Sequence, residues 1–92
     1  MSWAKRVDAL EAMNRRRSVL RQRLKQAEAL SRDEAWATLF EYEALDHALA
    51  YGRRDETILN ETGVRLDSEP LDIGPLVSSL LGAEKKLTFR RP

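Results

Sequence analysis

Histidine is the side chain that most often moves protons near neutral pH, and the chain has one, His47. On a helix it lies four residues after Glu43 and next to Asp46, so a carboxylate–imidazole pair is available. Such a pair could serve as a general base, or the ring could accept a phosphoryl group, as on histidine phosphotransfer helices. The surrounding LDHALAYG lacks the lysine and small residues expected close after a phosphoacceptor. We therefore read His47 as a partly buried, hydrogen-bonded residue beside Trp36 and Phe40, because a single histidine is weak evidence of a site. Ser78 and Ser79 have no strand–turn–helix elbow on which to act as nucleophiles, and read as packing residues. Asp67, Glu69 and Asp72 could approach a calcium ion, but their spacing lacks the glycine and terminal glutamate of an EF-hand. There is no cysteine, no GxxxxGK[ST] loop and no GxGxxG. No catalytic residue, metal, cofactor or small-molecule substrate is thus indicated, and an enzyme is not expected.

A second chemistry lies in NRRRSVLRQRLK, residues 14–25, which carries six positive charges and three aliphatic side chains. It could grip nucleic acid, lie on a membrane, or face counter-charges within the chain. The charges are segregated along the sequence. Residues 1–30 hold eight basic and three acidic groups, residues 31–72 four and eleven, and residues 73–92 four and one. The net charges are +5, −7 and +3, so a chain of net +1 can neutralise itself by folding back. Arginine outnumbers lysine 12 to 4, a bias of GC-rich bacterial or phage genomes.

These residues must be positioned by helices. Residues 2–30 contain no proline or glycine and are mostly strong helix formers. At 100° per residue, Trp3, Val7, Leu10, Met13, Leu20, Leu24 and Ala27 share about half the wheel. Arg15, Arg16, Arg23 and Lys25 lie largely outside that arc, whereas Arg17 sits in its middle. Ser31-Arg32-Asp33-Glu34 is a capping box that opens a second helix. That helix runs from about 32 to 51 if Gly52 caps it, or to Asn60 if Gly63 does. Leu45, Leu49, Tyr42, Ala35, Leu39, Trp36, Phe40 and Tyr51 cover well over half its circumference, so it demands two neighbours. A short helix over 75–81 starts at Pro75 and stops at Gly82. Val64-Arg65-Leu66 and Leu87-Thr88-Phe89 alternate like short strands and could pair as a small β-ribbon. The tail over 83–92 is expected to fray at its end.

The expected architecture is one all-α domain over 1–92. It is an antiparallel helical hairpin of two long helices with a short third helix. A turn near Ser31 sets Ala27 opposite Trp36, Leu24 opposite Leu39 and Arg17 opposite Asp46, with Glu43 one turn away. Arg17 then bridges Asp46 or Glu43 and fixes the register. A hairpin leaves Trp36, Phe40, Tyr51 and Trp3 wanting cover, so these are the expected partner-binding residues of a helical protein–protein interaction module, adaptor-like and self-associating as a homodimer. The alternative is nucleic-acid binding through Arg15, Arg16, Arg21, Arg23, Lys25, Arg90 and Arg91, with Lys85 and Lys86 adding to the patch. Against it, the aromatics fall on the acidic helix and no helix-turn-helix spacing is clear. No apolar run has the length of a signal peptide or of a membrane span, so a cytoplasmic chain with no membrane contact is expected.

Overall fold

The computed structural model describes residues 3–52, 71–82 and 87–91, apart from the side chains of residues 3, 4, 51 and 52. It is mostly helical, and no strand occurs among the described residues. The helices are α1 (Trp3–Lys25), α2 (Arg32–Gly52) and α3 (Gly74–Leu81), with a 3-10 turn over Ala27–Ala29. Residues 53–70 lie outside the description, so the question of whether the second helix passes Gly52 falls there.

α1 stops at Lys25, before the expected limit near Leu30. No glycine or proline marks the stop. Gln26 takes φ −114° and ψ 53°, and a tight turn follows in which Ala29 and Leu30 donate to Gln26 and Ala27 carbonyls at 2.9 and 3.0 Å. Ala27 and Leu30, at the two ends of this turn, are both buried against the core. Ser31 then starts α2. Its Oγ accepts from the Glu34 amide at 3.2 Å and donates to Glu34 Oε1 at 3.1 Å. Asp33 and Glu34 in the first turn suit the positive end of the helix.

α1 and α2 pack against each other. Leu20, Leu24, Ala27, Leu30, Ala35, Leu39 and Tyr42 form one buried cluster, joined by Leu76 and Leu80 of α3. Leu10 and Leu49 form a second, with Val7 and Met13 against it. Between them Arg17 is buried at 3% exposure, and its Nη1 donates to Asp46 Oδ1 at 2.7 Å. The carboxylate side is half open, with 52% of the Asp46 side chain exposed.

α3 supplies a second neighbour for the wide apolar arc of α2. Pro75 lies in its first turn, and Gly82 ends it at φ 77°, the left-handed conformation that glycine adopts without strain. Arg32, from the start of α2, donates to the Ser79 carbonyl at 3.3 Å and to the Leu80 carbonyl. A cation thus meets the negative end of α3. The segment 87–91 makes no β-ribbon. Leu87-Thr88-Phe89 is not a strand, and its expected partner, Val64-Arg65-Leu66, lies outside the described residues. Phe89 instead packs on the larger core cluster, and the Arg90 amide donates to the Leu30 carbonyl at 2.6 Å.

The seam makes a direct stability prediction. Arg17→Ala removes a buried cation and opens a void, at a cost of about 2 kcal/mol. Arg15, exposed on the same helix, should cost under about 0.5 kcal/mol when truncated. Thermal unfolding should separate the two variants by roughly 10 °C. Coincident melting curves would remove Arg17 from any structural role.

Candidate functional site

His47 is exposed, with 84% of its side chain accessible, which corrects the reading of a partly buried histidine beside Trp36 and Phe40. Its Nε2 lies 3.7 Å from Glu43 Oε2, one helical turn back. The reason is rotational. Buried Tyr42 and Leu49 set the inner face of α2, and a residue two positions before Leu49 points about 160° away. No group of three or more His, Asp or Glu among the described residues could hold a metal ion. The acids Asp67 and Glu69 lie outside the described residues, while Asp72 Oδ1 accepts from the Gly74 amide at 3.0 Å in front of α3.

The basic run of α1 divides into inward and outward residues. Arg21 is 1% exposed, so it is not an accessible phosphate contact. It lies one turn after Arg17 and one turn before Leu24, on the face that packs inward. Arg17 donates to Asp46 and Asn14 and Arg21 is also engaged, although the Nε of each is buried without a hydrogen bond among the described residues. Arg16 is exposed but engaged. Its Nε and Nη2 donate to the two oxygens of Glu41 at 2.5 and 3.1 Å, a bidentate fork across the helix pair. Arg15, Arg23 and Lys25 are exposed on α1. Arg91 is exposed on the tail, where Arg90 is ion-paired with Glu34. Lys85 and Lys86 lie outside the described residues.

The carboxylates of α2 are correspondingly occupied. Glu34 faces Arg90, Glu41 faces Arg16, Asp46 faces Arg17 and Glu43 faces His47. The hydrogen bond from Arg16 holds the Glu41 carboxyl below its ordinary range, and the same bond raises the guanidinium.

The outer face of α2 carries an exposed aromatic among small and polar residues, Asp33 and His47 included. Phe40 is 65% exposed and stacks on half-buried Trp36, with centroids 5.5 Å apart and planes at 23°. Ala37, Ala44 and Ala48 are exposed along the same side of the helix. The side chains of Trp3 and Tyr51, the other aromatics expected at a partner surface, lie outside those described. No described helix is long and apolar enough to cross a membrane.

The third place of interest joins the first turn of α2, the last turn of α3 and the tail. No local pattern marks it in the sequence, because the start of α2 lies 47 to 56 residues before its partners in α3 and the tail. Beside the tail an open cleft of about 630 Å³ is lined by Asp33, Ser79, Gly82 and Thr88 among others.

The chain matches no known protein family, no curated protein and no solved structure.

Because Glu41 is held charged by Arg16, the pair adds stability above the carboxylate range of the unfolded chain. That gain is lost as pH falls through the lowered folded value. Both groups are exposed, so the gain is small. Arg16→Ala should move the Glu41 titration upward, as read from side-chain carboxyl resonances against pH. An unmoved titration would mean that the pair does not form in solution.

Proposed function

We propose that this chain is a non-enzymatic helical interaction module that associates with a second copy of itself through the outer face of α2. The observation that carries the reading is Phe40, a large aromatic left two-thirds exposed on an otherwise ordered helix. Scattered apolar residues on a surface need no explanation, but this ring is stacked on Trp36 and flanked by alanines. Small residues allow another helix to approach closely, and an aromatic gives it something to bury.

The scaffold of the proposal is an antiparallel hairpin. Leu10, early in α1, clusters with Leu49, late in α2, while Leu24 shares a cluster with Leu39. α3 and Phe89 lie over the larger cluster. A second copy is favoured as the occupant on charge grounds. Two acidic helices brought together would repel, but Glu41 and Asp46 are already matched within the chain by Arg16 and Arg17. The surface that α2 offers around Phe40 mixes alanines with exposed Asp33 and His47, and its net charge is reduced by these pairs, which lessens the repulsion in an isologous pairing of α2 with α2. The same pairing weakens the nucleic-acid reading. Arg16 and Arg90 would have to exchange a carboxylate for a phosphate, and Arg21 is enclosed.

Sedimentation equilibrium should show a concentration-dependent dimer. Phe40→Glu should return it to a monomer with the far-ultraviolet circular dichroism nearly unchanged, and its melting temperature should match that of wild type diluted until the dimer dissociates, since association itself raises the melting temperature. A wild-type chain that stays monomeric at all accessible concentrations would sink the proposal. Shift of a labelled oligonucleotide at physiological salt, lost on charge reversal of Arg15 and Arg23, would put nucleic-acid binding in its place.

A further inference from the structure

We propose that the groove between the first turn of α2 and the last turn of α3 is a peptide-binding site, filled in cis by residues 87–91. In trans it would take an extended segment of a partner protein that carries an aromatic residue followed by arginine. This inference does not rest on self-association through α2.

The tail is held as a bound peptide would be. At its start the Leu87 amide donates to Ser79 Oγ at 3.1 Å. The Phe89 ring lies on the core cluster on one side, and on the other the Arg32 guanidinium carbon stands 5.6 Å from its centroid. The Arg90 amide donates to the Leu30 carbonyl at 2.6 Å, and the Arg90 side chain pairs with Glu34. Main-chain hydrogen bonds supply affinity without sequence preference, while pockets for particular side chains supply selectivity. Here the ring is selected by Arg32 and the core, and the neighbouring arginine by Glu34.

The receiving surface is built without the tail. Ser31 holds Glu34 through its hydroxyl at 3.1 Å, and Arg32 is fixed by the carbonyls that end α3. Ser79 is 3% exposed, yet its hydroxyl reaches the tail. The tail's contacts are two backbone amides, one ring and one guanidinium, groups that a separate segment could also present. A cis segment has an effective concentration in the millimolar range, so a partner must make contacts that the tail does not. The open cleft beside Asp33, Gly82 and Thr88 provides the room.

The test uses the full chain and a synthetic peptide of its residues 84–92, EKKLTFRRP. Excess peptide, at about 1 mM to match the cis segment, should move the amide resonances of residues 87–91 in the chain to unstructured positions, while those of Glu34, Ser79 and Leu80 change little because the same groups refill the groove. Arg90→Ala in the chain weakens the cis contact and should tighten peptide binding at least tenfold. A peptide with alanine at the positions of Phe89 and Arg90 should not bind. Because Arg90→Ala could loosen the fold, displacement in the unmutated chain stands as an independent readout. Peptide that shifts nothing, or that binds both chains equally, or that leaves the tail resonances in place, overturns the proposal.

Discussion

A positive charge enclosed between two helices governs the arrangement. Removing a guanidinium from water is costly unless oxygen acceptors are aimed at it. Arg17 meets that condition through Asp46, with Asn14 one turn back on its own helix at 3.4 Å. The apolar seam alone would be permissive. Leucines placed every three or four residues can slip by a turn and still find leucines. A buried arginine restricts such slips, because it must keep a carboxylate within reach: Asp46 here, with Glu43 one turn away on the same helix. Arg17 also divides the seam, with Leu10 and Leu49 on one side and the cluster around Leu20, Leu24 and Leu39 on the other. A pair so placed would add little net stability and would act by favouring one register over others.

A second constraint follows from α2. Its apolar residues extend too far around the helix for one neighbour, and α3 with Phe89 occupies part of what remains. Arg32 ties these parts together. At the start of α2 it stands near the positive end of that helix, an unfavourable place for a cation. Asp33 and Glu34 beside it offset this, and its guanidinium gains the carbonyl end of α3 and the Phe89 ring. One side chain thus fixes a helix end, a ring and the entrance of the tail.

These features differ in how far they could be read from the sequence. Helices, their approximate starts and the Ser31–Glu34 cap are local, set by propensity and by residues within one turn. Arg17 could be noticed because a lone charge interrupts an apolar stripe, and the acids of the second helix could be set against it by counting. Arg21 carried the same signal, one turn from both Arg17 and Leu24, but its place in a basic run made it look solvated. His47 was drawn inward by its neighbourhood in sequence, although its angle from Leu49 turns it to solvent. The end of α1 at Lys25 and the docking of the tail had no local sign. Both arise from packing between residues far apart, such as Arg90 on Leu30.

Internal pairing also decides which surfaces the molecule has left to use. Residues 14–25 carry six cations in sequence, but Arg17 and Arg21 are buried and Arg16 is held by Glu41. Long-range attraction scales with charge that remains uncompensated within about a Debye length, roughly 8–10 Å. An oligonucleotide approaching α1 would therefore meet much less than the sequence displays. Of the five acids in α2, Glu34, Glu41 and Asp46 are paired with arginines, which weakens the negative field of that helix. Among the described residues the surface keeps exposed cations such as Arg15 and Arg23, together with short-ranged features: a stacked aromatic on α2 and a groove that holds Phe89 and Arg90. Contacts made through such features depend on shape and close approach, whereas long-range steering depends on the charge left unpaired.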